Sequence, residues 1–484
     1  MLLISVLVPM LGAAALFVSR PKSRRTCHIL TMLFTLAASA CVAACLLNPL
    51  SQGVTLLRLT SRLTISFKLD GLGRIFSGMV AVLWPLATLY AFEYMEHEGG
   101  ENHFFGFYLL SYGVTLGIAF AEDLMTLYVF YELLSLATLF LVMHGMKARA
   151  VHAGRKYVYY MLGGAGMGFL ALATVIHFSG TSNFIAGGIP ALRFAPKPLI
   201  QLMFLLGFLG FGVKAAVFPF HSWLPTAGVA PTPVTALLHA VAVVKAGVFA
   251  VIRMSYYSFG ADLMRGTWPH TVCLILVMVS ILYGSSMAVR EPHMKRRLAY
   301  STMSNLSYVL LGAMLLTPEG LKGGLLHMVY HAIMKITLFS CVGAIMVKTG
   351  RSYVQEIRGM GRRMPFIVGV YLLAGMALTG VPPLPGFQSK WALAAAAVST
   401  GGWMGMASIV TLLISAVLTA IYMLVPAFGA LALPLDENGL ENRSYDPGWQ
   451  MKTPLIILCA VMIVLIFASA PLSQYIGKAA AGLV

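Results

Sequence analysis

The sequence predicts an all-α polytopic membrane protein with about fourteen transmembrane helices. Three observations predict it. Of 484 residues, 59% are hydrophobic and only 10% are charged, whereas a soluble domain carries about 25% charged residues. Apolar stretches of about 20 residues, enough to cross a bilayer as a helix, recur along the whole chain. They centre near residues 10, 37, 82, 112, 133, 168, 208, 243, 280, 307, 337, 378, 416 and 461. These stretches are rich in Leu, Ala, Val, Met and Gly, and lack the alternating polarity of membrane-barrel strands. No room remains for a nucleotide-binding or extracellular module.

The elements follow in order. Met1 to Ser19 is apolar but has no basic n-region, so it reads as a first span and not a cleaved signal. Residues 48–70 alternate polar and apolar side chains and read as a short outer β-hairpin between spans 2 and 3. Residues 1–100 therefore hold spans 1–3 and the hairpin. Span 7 is interrupted within FGVKAAVFPFHSWLPTAGVAPTP, residues 211–233, where Pro219 and Pro225 are the predicted breaks. Span 12 is interrupted within LTGVPPLPGFQSKW, residues 378–391, by Pro382, Pro383 and Pro385. Proline removes a backbone donor and breaks a helix. Non-helical backbone at membrane depth survives only inside protein or beside a water cavity. The two breaks are five spans apart, an odd number, so two repeats built around them would have opposite orientation. This predicts inverted five-helix repeats, spans 4–8 (101–255) and spans 9–13 (256–430). Two unrelated proline kinks are the plainer alternative. Residues 431–484 supply a cytoplasmic loop and the last span.

The net charge of +17 would suit a nucleic-acid binder, but its distribution speaks against that partner and for a lipid bilayer. Loops after odd-numbered spans carry 19 Lys and Arg, and those after even-numbered spans carry 8. This positive-inside bias places the odd loops in the cytoplasm and both termini outside. The six cysteines form no CxxC pair, and all but Cys27 fall within predicted spans. Zinc or iron–sulfur ligation by thiolates is not expected.

Against this apolar background, Glu132, Lys214, Lys245, Lys335 and Lys390 lie at membrane depth. A charge at the bilayer centre costs about 2.5–3.5 kcal/mol on insertion scales. Glu132 has no basic neighbour in sequence, and Lys214, just ahead of the first break, is its natural partner. A static ion pair joining two helices is the bland reading. Lysines near helix ends can snorkel to the interface, but Lys214 and Lys245 lie too deep for that. His327, His331 and Lys335 recur every four residues, and at about 100° per residue they share one helix face. Imidazoles there can pass protons between a lysine and water. Lys390 reads as a group in the second break, either an exit residue or a solvent-facing loop lysine. His221, His239 and Ser304 are supporting polar groups, and Ser301, Asn305 and Ser307 extend Ser304 into a stripe. Haem is the rival use of the histidines. His327 and His331 on one helix cannot both ligate one iron, so ligation would need His144, His221 or His239. No metal site and no cofactor are expected in this chain.

The runs GVKAAVFPFHSWLPTAGVAPTPVTALLHAVAVVKAG, RRLAYSTMSNLSYVLLG, HMVYHAIMKITLF and GVPPLPGFQSKW resemble the antiporter-like subunits of the complex I superfamily. That superfamily includes the proton-pumping subunits of respiratory complex I, the large subunits of Mrp-type sodium/proton antiporters and subunits of membrane-bound energy-converting hydrogenases. The resemblance covers nearly the whole chain and implies fourteen spans with two inverted repeats. It implies that Glu132 and Lys214 are the paired groups of spans 5 and 7, and that Lys245 is the lysine of span 8. His327, His331 and Lys335 would be the relay of span 11, and Lys390 the terminal group of span 12. That last position is glutamate in one of the complex I subunits, so lysine argues against that one. The most distal of them has a long lateral helix, which this sequence lacks. The expected function is proton translocation in a redox-driven complex of hydrogenase or NADH/quinone oxidoreductase type. An Mrp-type Na⁺/H⁺ antiporter is the alternative. Expected partners are other membrane subunits, further antiporter-like chains and a peripheral redox arm.

Overall fold

The structure, a computed structural model, describes residues 1–48, 53–60, 63–432, 434 and 443–483. Parts of the predicted hairpin segment (49–52 and 61–62) and of the loop before the last span (433 and 435–442) lie outside the described residues.

The chain is a bundle of helices. It opens with α1 (Leu2–Ser19) and α2 (Arg24–Leu47). The predicted hairpin follows as β1 (Val54–Arg58) antiparallel to β2 (Thr64–Phe67). Next come α3 (Gly71–Met95), α4 (Glu101–Phe120), α5 (Leu124–Val142) and α6 (Ala148–Ser179). The first broken region comprises α7 (Lys197–Gly212), α8 (Trp223–Thr226), α9 (Thr232–Ala240) and α10 (Val243–Arg253), closed by a π-helical turn, Met254–Phe259. A short α11 (Ala261–Met264) leads to α12 (Trp268–Arg290), α13 (Met294–Met314) and α14 (Pro318–Thr349). The second broken region joins α15 (Pro365–Thr379) to α16 (Pro385–Thr400), followed by α17 (Gly402–Ala432), α18 (Trp449–Phe467) and α19 (Ser469–Ala481).

Among the described residues, eleven helical segments are long and apolar enough to cross a membrane, with α7 and α15 shorter apolar helices. The protein is thus an all-α polytopic membrane protein. α13 has the length of a span but carries Lys295, Arg296, Arg297, Ser301, Thr302, Ser304, Asn305 and Ser307. Apart from Arg296, which is exposed, and Arg297, half-buried in the first turn, these groups are buried among protein, where such a helix is tolerated. The layering matters for the site. The segment Thr232–Phe259 is 100% buried and the most apolar stretch of α14 is 94% buried, against 28% for those of α2 and α18. The helices that bear Lys245, His239, His327, His331 and Lys335 are therefore the innermost ones.

Local chemistry sets the helix ends. Asp70 caps α3 by accepting from Gly73 N–H at 2.8 Å, and Asp123 caps α5 by accepting from Thr126 N–H at 2.8 Å. The hairpin docks there too, because Ser66 N–H donates to Thr126 Oγ1 at 2.9 Å. α6 and α7 cross at small residues. A Cβ at Gly210 would lie 2.5 Å from Gly168 N and 2.7 Å from Gly164 O, the close approach expected where lipid gives no hydrophobic drive between helices.

Several expectations are corrected. Cys27 lies inside α2, buried, and not outside a span. Pro225 sits within the short α8 instead of breaking a helix. Pro385 starts α16 at a first-turn position, where its missing N–H costs nothing. Lys390 consequently lies inside α16 and not in the break. A further interruption, at Val241 and Ala242 between α9 and α10, has no proline or glycine to announce it.

Candidate functional site

The predicted ion pair forms. Lys214 sits in the turn where α7 ends, and its Nζ lies 4.0 Å from Glu132 Oε1 of α5. The ammonium also donates to the Tyr131 carbonyl and rests 3.2 Å from the centroid of the Tyr131 ring. Carboxylate, carbonyl and ring face all favour a cation there. α10 closes over this turn through Gly247, where a Cβ would lie 2.5 Å from Ala215 N. The helix carrying Lys245 is thereby pressed against the backbone of Lys214.

Lys245 is fully buried, and its Nζ lies 2.8 Å from His331 Nδ1. When Lys245 is an ammonium it can only donate, so Nδ1 then accepts and the proton of neutral His331 resides on Nε2. That Nε2 has no hydrogen-bond partner among the described residues. One turn earlier on α14, His327 is gripped from two sides. Its Nδ1 lies 2.9 Å from Ser389 Oγ of α16, and its Nε2 lies 3.2 Å from Asn305 Oδ1 of α13. The two rings are 5.9 Å apart between centroids. Lys335 turns aside and donates to Leu298 O at 3.1 Å. Lys390 donates to Leu378 O and Thr379 O, both at 2.9 Å, carbonyls freed where α15 ends. Its Nζ lies 5.3 Å from the Tyr308 ring centroid, and that ring lies 5.2 Å from His327.

The supporting groups divide. His239 is fully buried in the last turn of α9, and neither ring nitrogen has a partner among the described residues. His221 stacks on Phe218 with centroids 5.6 Å apart, beside the first break. Ser304 bonds Ser285 at 2.7 Å and Ser415 at 3.2 Å, joining α12, α13 and α17, and among the described residues makes no hydrogen bond to the histidines. Its neighbour Asn305 makes that bond instead.

Two buried cations read as ordinary loop bases in the sequence. Lys295, 4% exposed, donates to Ala230 O at 2.9 Å. Arg253, 2% exposed, is paired with Asp70, which also accepts from Tyr257 Oη at 2.6 Å. Burial pushes the Asp70 carboxyl up, but Arg253 and the hydrogen bonds from Tyr257 and Gly73 outweigh it and hold it below the usual carboxylate range. No local signal marks either cation, because both stand at helix ends where a loop base is ordinary. Among the described residues, no three His, Cys, Asp or Glu side chains converge to hold a metal ion. The arrangement is suited to moving protons between amines and imidazoles.

A model described as "NADH:quinone oxidoreductase/Mrp antiporter, TM" matches residues 121–419, and one described as "NADH-Ubiquinone oxidoreductase (complex I), chain 5 N-terminus" matches residues 59–105. NADH-quinone oxidoreductase subunit N of Desulforudis audaxviator is 30% identical over 396 residues, covering 80% of this chain and 77% of that protein. A probable K(+)/H(+) antiporter protein of Rhizobium meliloti is 31% identical over 342 residues, 70% of this chain, and this chain spans only 33% of its length. A chain in the structure of the Mrp complex from Dietzia sp. DQ12-45-1b has the same fold, with a TM-score of 0.85 at 23% identity, covering 100% of this chain and 97% of that one. The family match over residues 121–419 and the 30% identical relative show that the chain belongs to the NADH:quinone oxidoreductase/Mrp antiporter transmembrane family.

Proposed function

We infer that this chain is a proton-translocating, antiporter-like subunit of a redox-driven multi-subunit membrane complex, of energy-converting hydrogenase or NADH/quinone oxidoreductase type. The observation that carries the reading is the pair of contacts Glu132–Lys214, between α5 and the turn after α7, and Lys245–His331, between the innermost helices α10 and α14. Loosening the first pair destabilises the ammonium of Lys214 and drives its proton inward. Lys245, His331, Lys335, His327 and Lys390 carry the charge onward. Moving one charge against 100 mV takes about 2.3 kcal/mol. The chain carries no cofactor of its own in this reading, so partner subunits supply the energy through a peripheral redox arm. Further antiporter-like chains sit beside it in the membrane.

In the same reading the chain crosses the membrane fourteen times, with α7–α8 and α15–α16 each completing one span. Residues 101–255 and 256–430 are the inverted five-helix units, flanked by residues 1–100 and 431–484, with both termini outside. The internal break at membrane depth in each unit supports this.

The relatives named for K(+)/H(+) and Mrp complexes favour a second reading, a component of an Mrp-type Na⁺/H⁺ antiporter without redox chemistry. Mass spectrometry of the complex purified through this chain separates the two. Partners with cluster-binding CxxC motifs mean a redox pump, and small hydrophobic partners with more antiporter-like chains mean an antiporter. Transport itself is tested with Lys214→Ala and Lys390→Ala. Each is expected to abolish proton flux in vesicles while the complex still assembles, and normal flux in either variant removes that residue from the path.

A further inference from the structure

His327 is the one relay histidine whose two ring nitrogens both have side-chain partners among the described residues, and those partners differ in kind. Asn305 Nδ2 donates to Ser301 O at 2.7 Å, one turn back on α13. A carbonyl accepts only, so the amide nitrogen must face it and Oδ1 is left facing His327 Nε2 at 3.2 Å. Oδ1 is an acceptor, so Nε2 must carry the ring proton. On the other side of the ring, Ser389 Oγ can donate to Nδ1 at 2.9 Å or to Gly386 O at 3.2 Å. All three side chains are buried, with Asn305 1% exposed and His327 and Ser389 fully enclosed, so water does not compete for these bonds.

We propose that Asn305 is a positioning residue that holds His327 in its Nε2–H form and leaves only Nδ1 open, toward Ser389 and the Lys390 end of the path. The proposal rests on the relay reading above. An amide oxygen does not take up a proton under these conditions, so Nε2 is closed to transfer. A proton reaches His327 as the Ser389 O–H, which passes to Nδ1 while the ammonium of Lys390 gives a proton back to Ser389 Oγ, and it leaves by the reverse steps to the Lys390 amine. No electron moves and no bond other than O–H and N–H is made or broken. No proton crosses His327, so the path is two segments coupled by charge across the 5.9 Å between the His331 and His327 rings, with Lys245–His331 in one and His327–Ser389–Lys390 in the other.

Removing the amide shifts the ring tautomer. In Asn305→Leu the Nε2 proton would be buried without an acceptor, which disfavours that tautomer. The ring proton then has one acceptor left, Ser389 Oγ, whose own proton can stay on Gly386 O. His327 moves to the Nδ1–H form and can no longer accept from Ser389. Asn305→Gln keeps an amide oxygen and is the rescue.

The test uses the intact complex in proteoliposomes, with ¹⁵N-labelled histidine and an imposed potential. The His327→Phe variant assigns the His327 signals by difference. The expected result is an Nε2–H signature for neutral His327 in the parent and in Asn305→Gln. Asn305→Leu should show an Nδ1–H signature, with proton flux reduced at least tenfold and an unchanged melting temperature within the assembled complex. An Nε2–H signature that persists in Asn305→Leu overturns the lock, as does parental flux in that variant. Parental flux in His327→Phe instead overturns the relay reading while the tautomer result still stands or falls by itself.

Discussion

Lys214 shows what a membrane-buried ammonium requires: one carboxylate, one carbonyl and one ring face, from two adjacent residues of α5. The carboxylate is the group that can be lost without altering shape. Glu132→Gln is therefore expected to fold and to cut proton flux by about 10²–10⁴, the range for a misplaced proton-transfer group. A stopped-flow pH-dye assay on vesicles measures this, and flux within a factor of two of the parent would make the pair a static tie. Legibility at this scale is uneven. Glu132 and Lys214 are predictable partners because each is costly alone. Lys245 and His331 are 86 residues apart, and nothing local links them. The sequence favours Ser304 where the structure uses Asn305, because a helix period assigns a face only to within a residue.

At the scale of elements, the breaks do the positioning. α7 and α15 stop short within the bundle, and their ends offer the turn of Lys214 and the carbonyls that hold Lys390. α10 is seated on the first break at Gly247, with no room for a side chain. Gly247→Ala forces α10 away from Ala215 and is expected to cost about 1–3 kcal/mol as an overpacked contact, and to slow proton flux by displacing Lys245. A lowered melting temperature of the purified complex would register the first effect. An unchanged melting temperature would mean that α10 yields freely. Prolines announce the breaks at residues 219 and 382–383, but the break at Val241 and Ala242 carries no breaker residue and is imposed by the packing around it.

Across the whole molecule, distant segments are tied by a few buried polar clamps. Asp70 at the start of α3 grips Arg253 at the end of α10 and Tyr257 in the π-helical turn that follows, 183 and 187 residues away. The folded-state pKa of Asp70 is depressed, while an unfolded aspartate titrates near about 3.9. The clamp's contribution is therefore fully present above that value and is lost as pH falls through the lower, folded value. Asp70→Asn should lower the melting temperature at neutral pH, and the gap from the parent should close on acidification below about pH 4. A gap that is constant with pH would assign the loss to packing instead of charge.

Composition and loop charge are enough to determine a polytopic helical membrane protein, because the bilayer admits few alternatives to an apolar helix. The same economy exposes the costly residues, since a charge in an apolar run stands out wherever it is. The pairing of those residues is decided only in three dimensions. Lys245 with His331, Asn305 with His327, and Arg253 with Asp70 depend on which helix faces meet, and that is set by glycine contacts and breaks summed over the bundle. Lys295 and Arg253 have the sequence neighbourhoods of loop bases, and only the packed helices around them turn them inward.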